Sequence, residues 1–419
     1  MKARIGIIGS LAVTVALVAT GCSPASTDDG PVTLEYWSFT GIDATAKVEE
    51  FLATNPDFDI KVTEVGSSAE TAQAVTAAIA SGKVPDLVLI QDDDIAKIMA
   101  NTGNWVDLNT LGAEDIADEY FDWSWKIGAG SDGSQIGVPT DTGALSFAYR
   151  TDLFEAAGLP TDPAEVAALW PTWDDFLQVA SDYTAATGQP FIDSASNSVF
   201  RATVNQVETQ YYDADGELAY DNPEVEDAFD IAIDAATSGI SAKLGAFSEG
   251  WSAGLGTGAF AVMVAPSWML GVIKGNAPDT AGKWAITTIP GIGGNWGGSH
   301  IMIPAGAEHP EEAFAFIKAS QSPEAQLQLF LDHGNFPSTY GALEDPAISE
   351  TTDPFFSDVA TGKILGDSVA ALKPFAVGPE SGTIGGELSN AITRVDVEGA
   401  DPDTAWADAL AAIKVALGG

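Results

Sequence analysis

"FDIKVTEVGSSAETAQAVTAAIASGKVPDLVLI", residues 58–90, changes its hydrophobic period twice, and those changes decide the fold. "FDIKVTEV" (58–65) alternates apolar and polar side chains, as a strand does. Residues 69–81 place Ala74, Val75, Ala78 and Ile79 on one helical face and stop at Gly82. "PDLVLI" (85–90) is a continuous apolar run, the pattern of a strand covered on both faces. Working outward, "VTLEYW" (32–37) reads as a strand, residues 43–54 as a helix with Val48, Phe51 and Leu52 inward, and about 94–101 as another helix. The β-α-β-α-β alternation predicts an α/β protein whose parallel sheet carries helices on both faces. Such sheets bind ligands beyond the carboxyl ends of their strands, here Trp37-Ser38-Phe39 and Gln91-Asp92-Asp93.

The alternation continues to the end of the chain. "SDGSQIGVP" (131–139) reads as a hairpin turn and strand, and "ALSFAYR" (144–150) as a further strand. Asp141 falls between them, either as a turn residue or as a group facing a cleft. Thr172 caps the helix of "PTWDDFLQVASDY", with Asp175 at the capping-box position, and Asn222 caps a later one. "AFAVMVAP" (259–266) and "WAITTIP" (284–290) are strands. "HPEEAFAFIKAS" and "SPEAQLQLFLDHG" are consecutive helices, and an Ala-rich helix begins near 401. No internal repeat or low-complexity linker interrupts residues beyond 30, so two lobes would have to share interwoven segments.

The 419 residues exceed what one simple core holds and suffice for two lobes. Acidic residues number 60 against 17 basic ones, a formal charge of −43, which would repel nucleic-acid phosphates. A hydrophobic content of 46% with 11 Trp excludes a disordered chain. The single cysteine, Cys22, rules out an internal disulfide, a CxxC pair and a Cys-based zinc site. It closes an uncharged stretch, residues 5–21, that follows Lys2 and Arg4, and a polar stretch, 23–30, comes after it. Basic start, apolar middle and small residues describe an export signal over 1–21. The end, Ala19-Thr20-Gly21-Cys22, resembles a bacterial lipoprotein processing site, which makes Cys22 the lipid-bearing residue and 22–30 a tether.

Several motifs invite chemistry. "GWSAG" (250–254) matches a nucleophile elbow at Ser252, but the segment before it is no buried strand. "DADGE" (213–217) fails as a calcium loop, because Tyr211 and Asn222 would occupy carboxylate positions; a turn is expected. "GNAPDTAGKW" has the wrong spacing for a phosphate loop, and the three histidines have no metal-ligand spacing. Neither catalytic residues nor metal ligands are assigned. Trp105, Trp123, Trp125 and Trp173 are read as packing residues, and Tyr211-Tyr212 as core. Trp37, Trp268 and Trp296 stand at strand ends or in Gly/Pro-rich loops, where a flat ring beside carboxylates and amides suits a sugar.

"LEYWSFTG", "FLATNPDFDIKV", "GKVPDLVLI", "IGVPTDTGALSFAYRTDLFEAAGLP", "GTGAFAVMVAPSWM" and "PGIGGNWGGSHIMIPAGAEHPEEAFAFIKA", in that order, resemble the extracellular solute-binding proteins, family 1, of carbohydrate ABC transporters. This family includes the maltose- and trehalose-binding proteins. The resemblance implies a two-lobed periplasmic-binding-protein fold of type II kind, each lobe a mainly parallel sheet flanked by helices. Residues 31–141 and 295–334 would form lobe 1, and 142–294 and 335–419 lobe 2. The hinge would cross near Asp141–Gly143, Gly293–Asn295 and Gly334–Phe336. It further implies ligand contacts from Trp37, Ser38, Gln91, Asp92, Asp141, Asn197, Trp268, Trp296, Gly298 and Phe336, with Trp268 and Trp296 bracketing one sugar. The implied protein is a monomer without cofactor or catalysis. It would be lipid-anchored on the outer face of the membrane and deliver a carbohydrate to an ABC permease. A secreted hydrolase using Ser252 or paired carboxylates is the competing enzyme reading. The same fold holding a polyamine or other polar solute is the competing binding reading, since aromatic boxes also hold cations.

Overall fold

A computed structural model describes residues 30–40, 42, 44–373 and 375–418; the export signal expected over 1–21 and Cys22 lie outside them. The chain begins with β1 (Val32–Ser38), a helix (Ala44–Thr54), β2 (Phe58–Glu64), a helix (Ser68–Ser81), β3 (Leu87–Gln91) and a helix (Asp92–Ile98). β1 lies between β2 and β3, parallel to both, in the register Val32↔Phe58 and Tyr36↔Leu87. The helix of 68–81 is delimited as its sequence demands. Ser67 and Glu70 form a reciprocal capping box at its start, and Gly82 ends it at φ 70°, a left-handed conformation that costs glycine nothing. The apolar run of β3 divides by strand periodicity: Leu87 and Leu89 join the core with Phe51 and Phe316, while Val88 and Ile90 face Val75 and Ile95 on the other side. Both faces are covered, so no polar alternation is seen.

Beyond β3 the sheet differs from expectation. β4 (Gly137–Arg150), β5 (Val262–Pro266), β6 (Trp284–Thr287) and β7 (Asn295–Met302) give the order β2-β1-β3-β7-β4-β5, with β6 also on β4. All pairings made by β7 and β4 are antiparallel, so the sheet is mixed rather than mainly parallel. The reason is directional. β4 carries the chain out of the first body, β7 brings it back, and neighbouring outward and return runs must oppose each other.

β4 also replaces the two strands and intervening turn expected around Asp141. It is one strand, buried along its whole length, with register shifts between Pro139/Asp141 and Thr142/Ala144. The Pro-Thr-Asp-Thr-Gly run that looks like a turn instead forms bulges, which bend a strand without ending it. Gly143 is required there, because a Cβ would stand 1.8 Å from the Trp296 carbonyl oxygen. The N-terminal part of β4 pairs with β7, and its C-terminal part pairs with β5 and β6. The second core is built there, around Phe147, Trp170, Phe176, Phe191 and Trp251, with Ile384, Leu388 and Ala409 from the C-terminal helices.

Candidate ligand cleft

A cleft enclosing about 960 Å³ of space open to solvent lies between the two bodies. The first body contributes Asp92 and Asp93, directly after β3, and Trp123 and Ile127 from the helix Asp122–Ile127. β7 contributes Asn295, Trp296 and Gly297. The second body contributes Arg201, Asn205, Gln210 and Tyr211, then Phe375, Val377 and the first turns of the helix Ser381–Thr393.

Asp92 is 7% exposed, and burial pushes its carboxyl above the usual range, opposed by His300. His300 Nδ1 is 2.7 Å from Asp92 Oδ1, and its Nε2 is 2.9 Å from the Ser124 carbonyl. A carbonyl only accepts, so Nε2 carries a hydrogen, and the other ring nitrogen shares a proton with the carboxyl. Gly298, at φ 119°, leaves room for this carboxyl: a Cβ there would stand 2.6 Å from Asp92 Oδ2. Asp141 is also buried and accepts hydrogen bonds from Thr140 Oγ1 at 2.8 Å and Ser299 Oγ at 2.9 Å.

Trp296 is nearly buried, with the Arg201 guanidinium 4.6 Å above its ring centre. Trp268 meets it edge-on, at 5.2 Å between centroids and 75° between planes, and donates from Nε1 to the Trp296 carbonyl at 3.0 Å. The two indoles touch, so they do not bracket a sugar ring. Phe247 lies nearly parallel to Trp268, 18° apart at 6.2 Å, on a backbone held at φ 64°.

Of the residues expected at the site, Asp92 and Trp296 line the cleft, with Gly298, Trp268 and Asp141 packed behind or beside them. Gln91 is half-buried, opposite Ser299 in the β3–β7 register. Trp37 is half-buried and packs against the small core that contains Val75, Val88, Ile90 and Ile95. Ser38 is fully buried and donates to the Phe39 carbonyl. Asn197 lies in a buried cluster, its Nδ2 donating to Asp193 at 2.5 Å. Phe336 is fully buried in the core, edge-to-face with Phe330, with 5.4 Å between centroids. Ser252 is inside the helix Glu249–Thr257, so the strand–Ser–helix turn of a nucleophile elbow is not there. Asp213 forms a turn, accepting from the Asp215 and Glu217 N–H groups. No metal-ligand cluster occurs among the described residues.

Sequence reasoning missed Arg201, Tyr211, Trp123 and the helix Ser381–Thr393. Tyr211 is buried, as a core residue would be, but it faces the cleft. One signal was available. "SGTIGGELSN" (381–390) places Gly382, Gly385 and Gly386 inside a helix, where each is unfavourable by about 1 kcal/mol relative to Ala. Their bare face lines the cleft.

Two α/β bodies joined through paired crossing strands, with a polar, partly aromatic cleft between them, define a solute-binding fold. The sequence profile described as bacterial extracellular solute-binding protein matches residues 46–356, and the chain belongs to that family. A lactose-binding protein of Rhizobium radiobacter is 27% identical, over 82% of this chain and 83% of the relative. A chain named an uncharacterised lipoprotein, from Streptomyces antibioticus, is 27% identical over 83% of this chain and 79% of its own. Among solved structures, one titled extracellular solute-binding protein family 1 superposes with a TM-score of 0.84 at 33% identity, covering 92% of this chain and 100% of that one. A binding protein associated with an ABC transporter of B. animalis subsp. lactis, in complex with beta-1,6-galactobiose, shares the fold at a TM-score of 0.77 and 19% identity, over 93% and 97% of the two chains.

Proposed function

We propose that this protein captures a sugar or oligosaccharide outside the cell and presents it to the permease of an ABC importer. The observation that carries this reading is the lining of the cleft: indole and phenyl surface from Trp123, Trp296 and Phe375 beside acceptors and donors from Asp92, Asp93, Asn205, Gln210 and Asn295. Pyranose rings offer apolar C–H faces and a rim of hydroxyls, and a site of this kind meets both. The names of the relatives point the same way. Residues 31–141 with 295–334, and 142–294 with 335–419, are the two lobes in this reading. Ligand contacts made to both favour the closed arrangement. Asp92 and Trp296 contact the ligand. Gln91, Asp141, Trp268 and Gly298 shape the ground beneath them.

The protein acts as a monomer, held on the outer membrane face by lipid on Cys22. A thermal-shift screen across mono- and oligosaccharides tests the binding reading, because a ligand of the native state raises apparent stability by about 2.7 kcal/mol at a hundredfold excess over Kd. Absence of any shift, with polyamines giving one, would replace sugar by a cationic solute. Cys22→Ala tests the anchor: the variant should leave the membrane fraction, and equal retention would disprove it.

A further inference from the structure

One side of the cleft is rich in hydrogen-bond donors that find no acceptor among the described residues. The Arg201 guanidinium carbon lies 4.6 Å from the centre of the Trp296 ring, and the guanidinium makes no hydrogen bond or ion pair among the described residues. Tyr211 is 5% exposed and lines the same cleft, and its hydroxyl likewise has no partner among the described residues. That hydroxyl sits 3.1 Å from where a Cβ on Gly385 would be, against the bare face of the helix Ser381–Thr393. Burial holds the phenol well above its ordinary range, so it keeps its proton as a donor. The helix begins at the cleft with Ser381 and Gly382. The amide N–H groups of Gly382 and Thr383 find no acceptor among the described residues.

Three kinds of donor therefore line one cleft: a planar guanidinium, a phenol and the positive end of a thirteen-residue helix. Buried donors are almost always paired, and those left open in a binding cleft mark where a ligand supplies the acceptor. A guanidinium fork matches a carboxylate in two parallel hydrogen bonds, a fit that a single hydroxyl does not offer. The cation–π contact with Trp296 holds the guanidinium in place in advance. The chain's charge of −43 opposes an anion at long range, where screening beyond about 8 Å weakens it; at close range the Arg201 guanidinium works against the Asp93 carboxylate, and both act on Tyr211.

Resting on the sugar reading above, we propose that the ligand is a saccharide carrying a carboxylate, a uronic-acid sugar, whose acid group binds at Arg201, Tyr211 and the N-terminus of the helix Ser381–Thr393. Asp93, whose backbone oxygen is 3.4 Å from where a Cβ on Gly382 would stand, borders this corner and takes a hydroxyl of the same ligand.

The test is calorimetric titration of the full chain. The panel holds gluco-, galacto- and manno-configured uronic acids and their disaccharides, each matched to its neutral sugar and to the uronate methyl ester. A uronate should bind at least about 10-fold more tightly than its neutral and esterified counterparts. Arg201→Met should weaken that uronate by about 100-fold or more, and Arg201→Lys by less, with thermal midpoints measured to show both variants folded. Because the ester arm uses the unaltered protein, it stands even if a variant misfolds. A neutral sugar as the tightest ligand, with its ester analogue equal to the uronate, overturns the anion corner and leaves sugar binding intact. Binding by no saccharide at all overturns both.

Discussion

Two polar clusters in the second body are built from similar residues and behave in opposite ways. Asp193, which is fully buried, is paired at both carboxylate oxygens. The carboxylate accepts from Ser194 N, Asn197 Nδ2, Ser198 Oγ and Trp251 Nε1 at 2.5–2.9 Å. Around Arg201 and Tyr211 the donors face space. A satisfied polar cluster holds the fold, whereas an unsatisfied one waits for something else to complete it. Proximity to the cleft in sequence terms does not tell them apart: Asn197 and Arg201 are one helical turn apart, yet the first belongs to structure and the second to the cleft.

The contrast breaks most visibly at Trp251. Its side chain is fully buried, and Trp251→Ala should destabilise the protein by about 3–5 kcal/mol, read from chemical denaturation, while the folded fraction keeps its affinity. Loss of affinity without loss of stability would reassign Trp251 to the site. Next comes Asp193 itself, whose carboxyl burial raises to about 6 against the hydrogen bonds that lower it. The folded state holds this proton more tightly than the unfolded chain. Stability from this group is therefore fullest below about 4 and declines as pH rises to about 6, by an amount on the order of 3 kcal/mol. Subtracting the pH–stability curve of Asp193→Asn from that of the parent isolates the effect. A flat difference between pH 4 and 6 would show the carboxyl to be ionised throughout.

Smaller effects sharpen the open cluster. Gly386→Ala adds a methyl group that meets nothing within 4 Å in a helix interior. It should raise stability by about 1 kcal/mol while narrowing the cleft, so thermal midpoint and affinity should move in opposite directions. Tyr211→Phe removes a hydroxyl with no partner among the described residues and should change stability by less than about 0.5 kcal/mol. A larger loss would mean the hydroxyl is a structural bond after all.

Legibility followed the range of the forces involved. The β1-to-β3 stretch could be read because periodicity and the Gly82 stop are local signals, and the structure places them as expected; the Ser67 cap, equally local, was passed over. β4 was misread because Pro139 to Gly143 carries turn-forming residues, whereas its pairing with β7 is a long-range fact. Asp92 and Trp296 could be expected beside a cleft, which they line, because they sit at strand ends, where the fold itself points to one. Arg201 and Tyr211 follow no periodic pattern, and only the packing of distant segments turns them inward. Phe336 was misplaced for the converse reason: a loop aromatic near a crossing is drawn into the core by Phe330.

β7 lies between β3 and β4 in space although it follows both by a long stretch of chain. Until residues 295–302 become available, the facing edges of β3 and β4 have no partner, and the first body is an incomplete sheet with sticky borders. Completing it requires closure of a very long loop, a slow event for any polypeptide. A fragment cut before Asn295 is therefore expected to aggregate rather than to fold as half a protein. In return, the full chain commits to its native shape late, and so stays threadable through a narrow passage for most of its length.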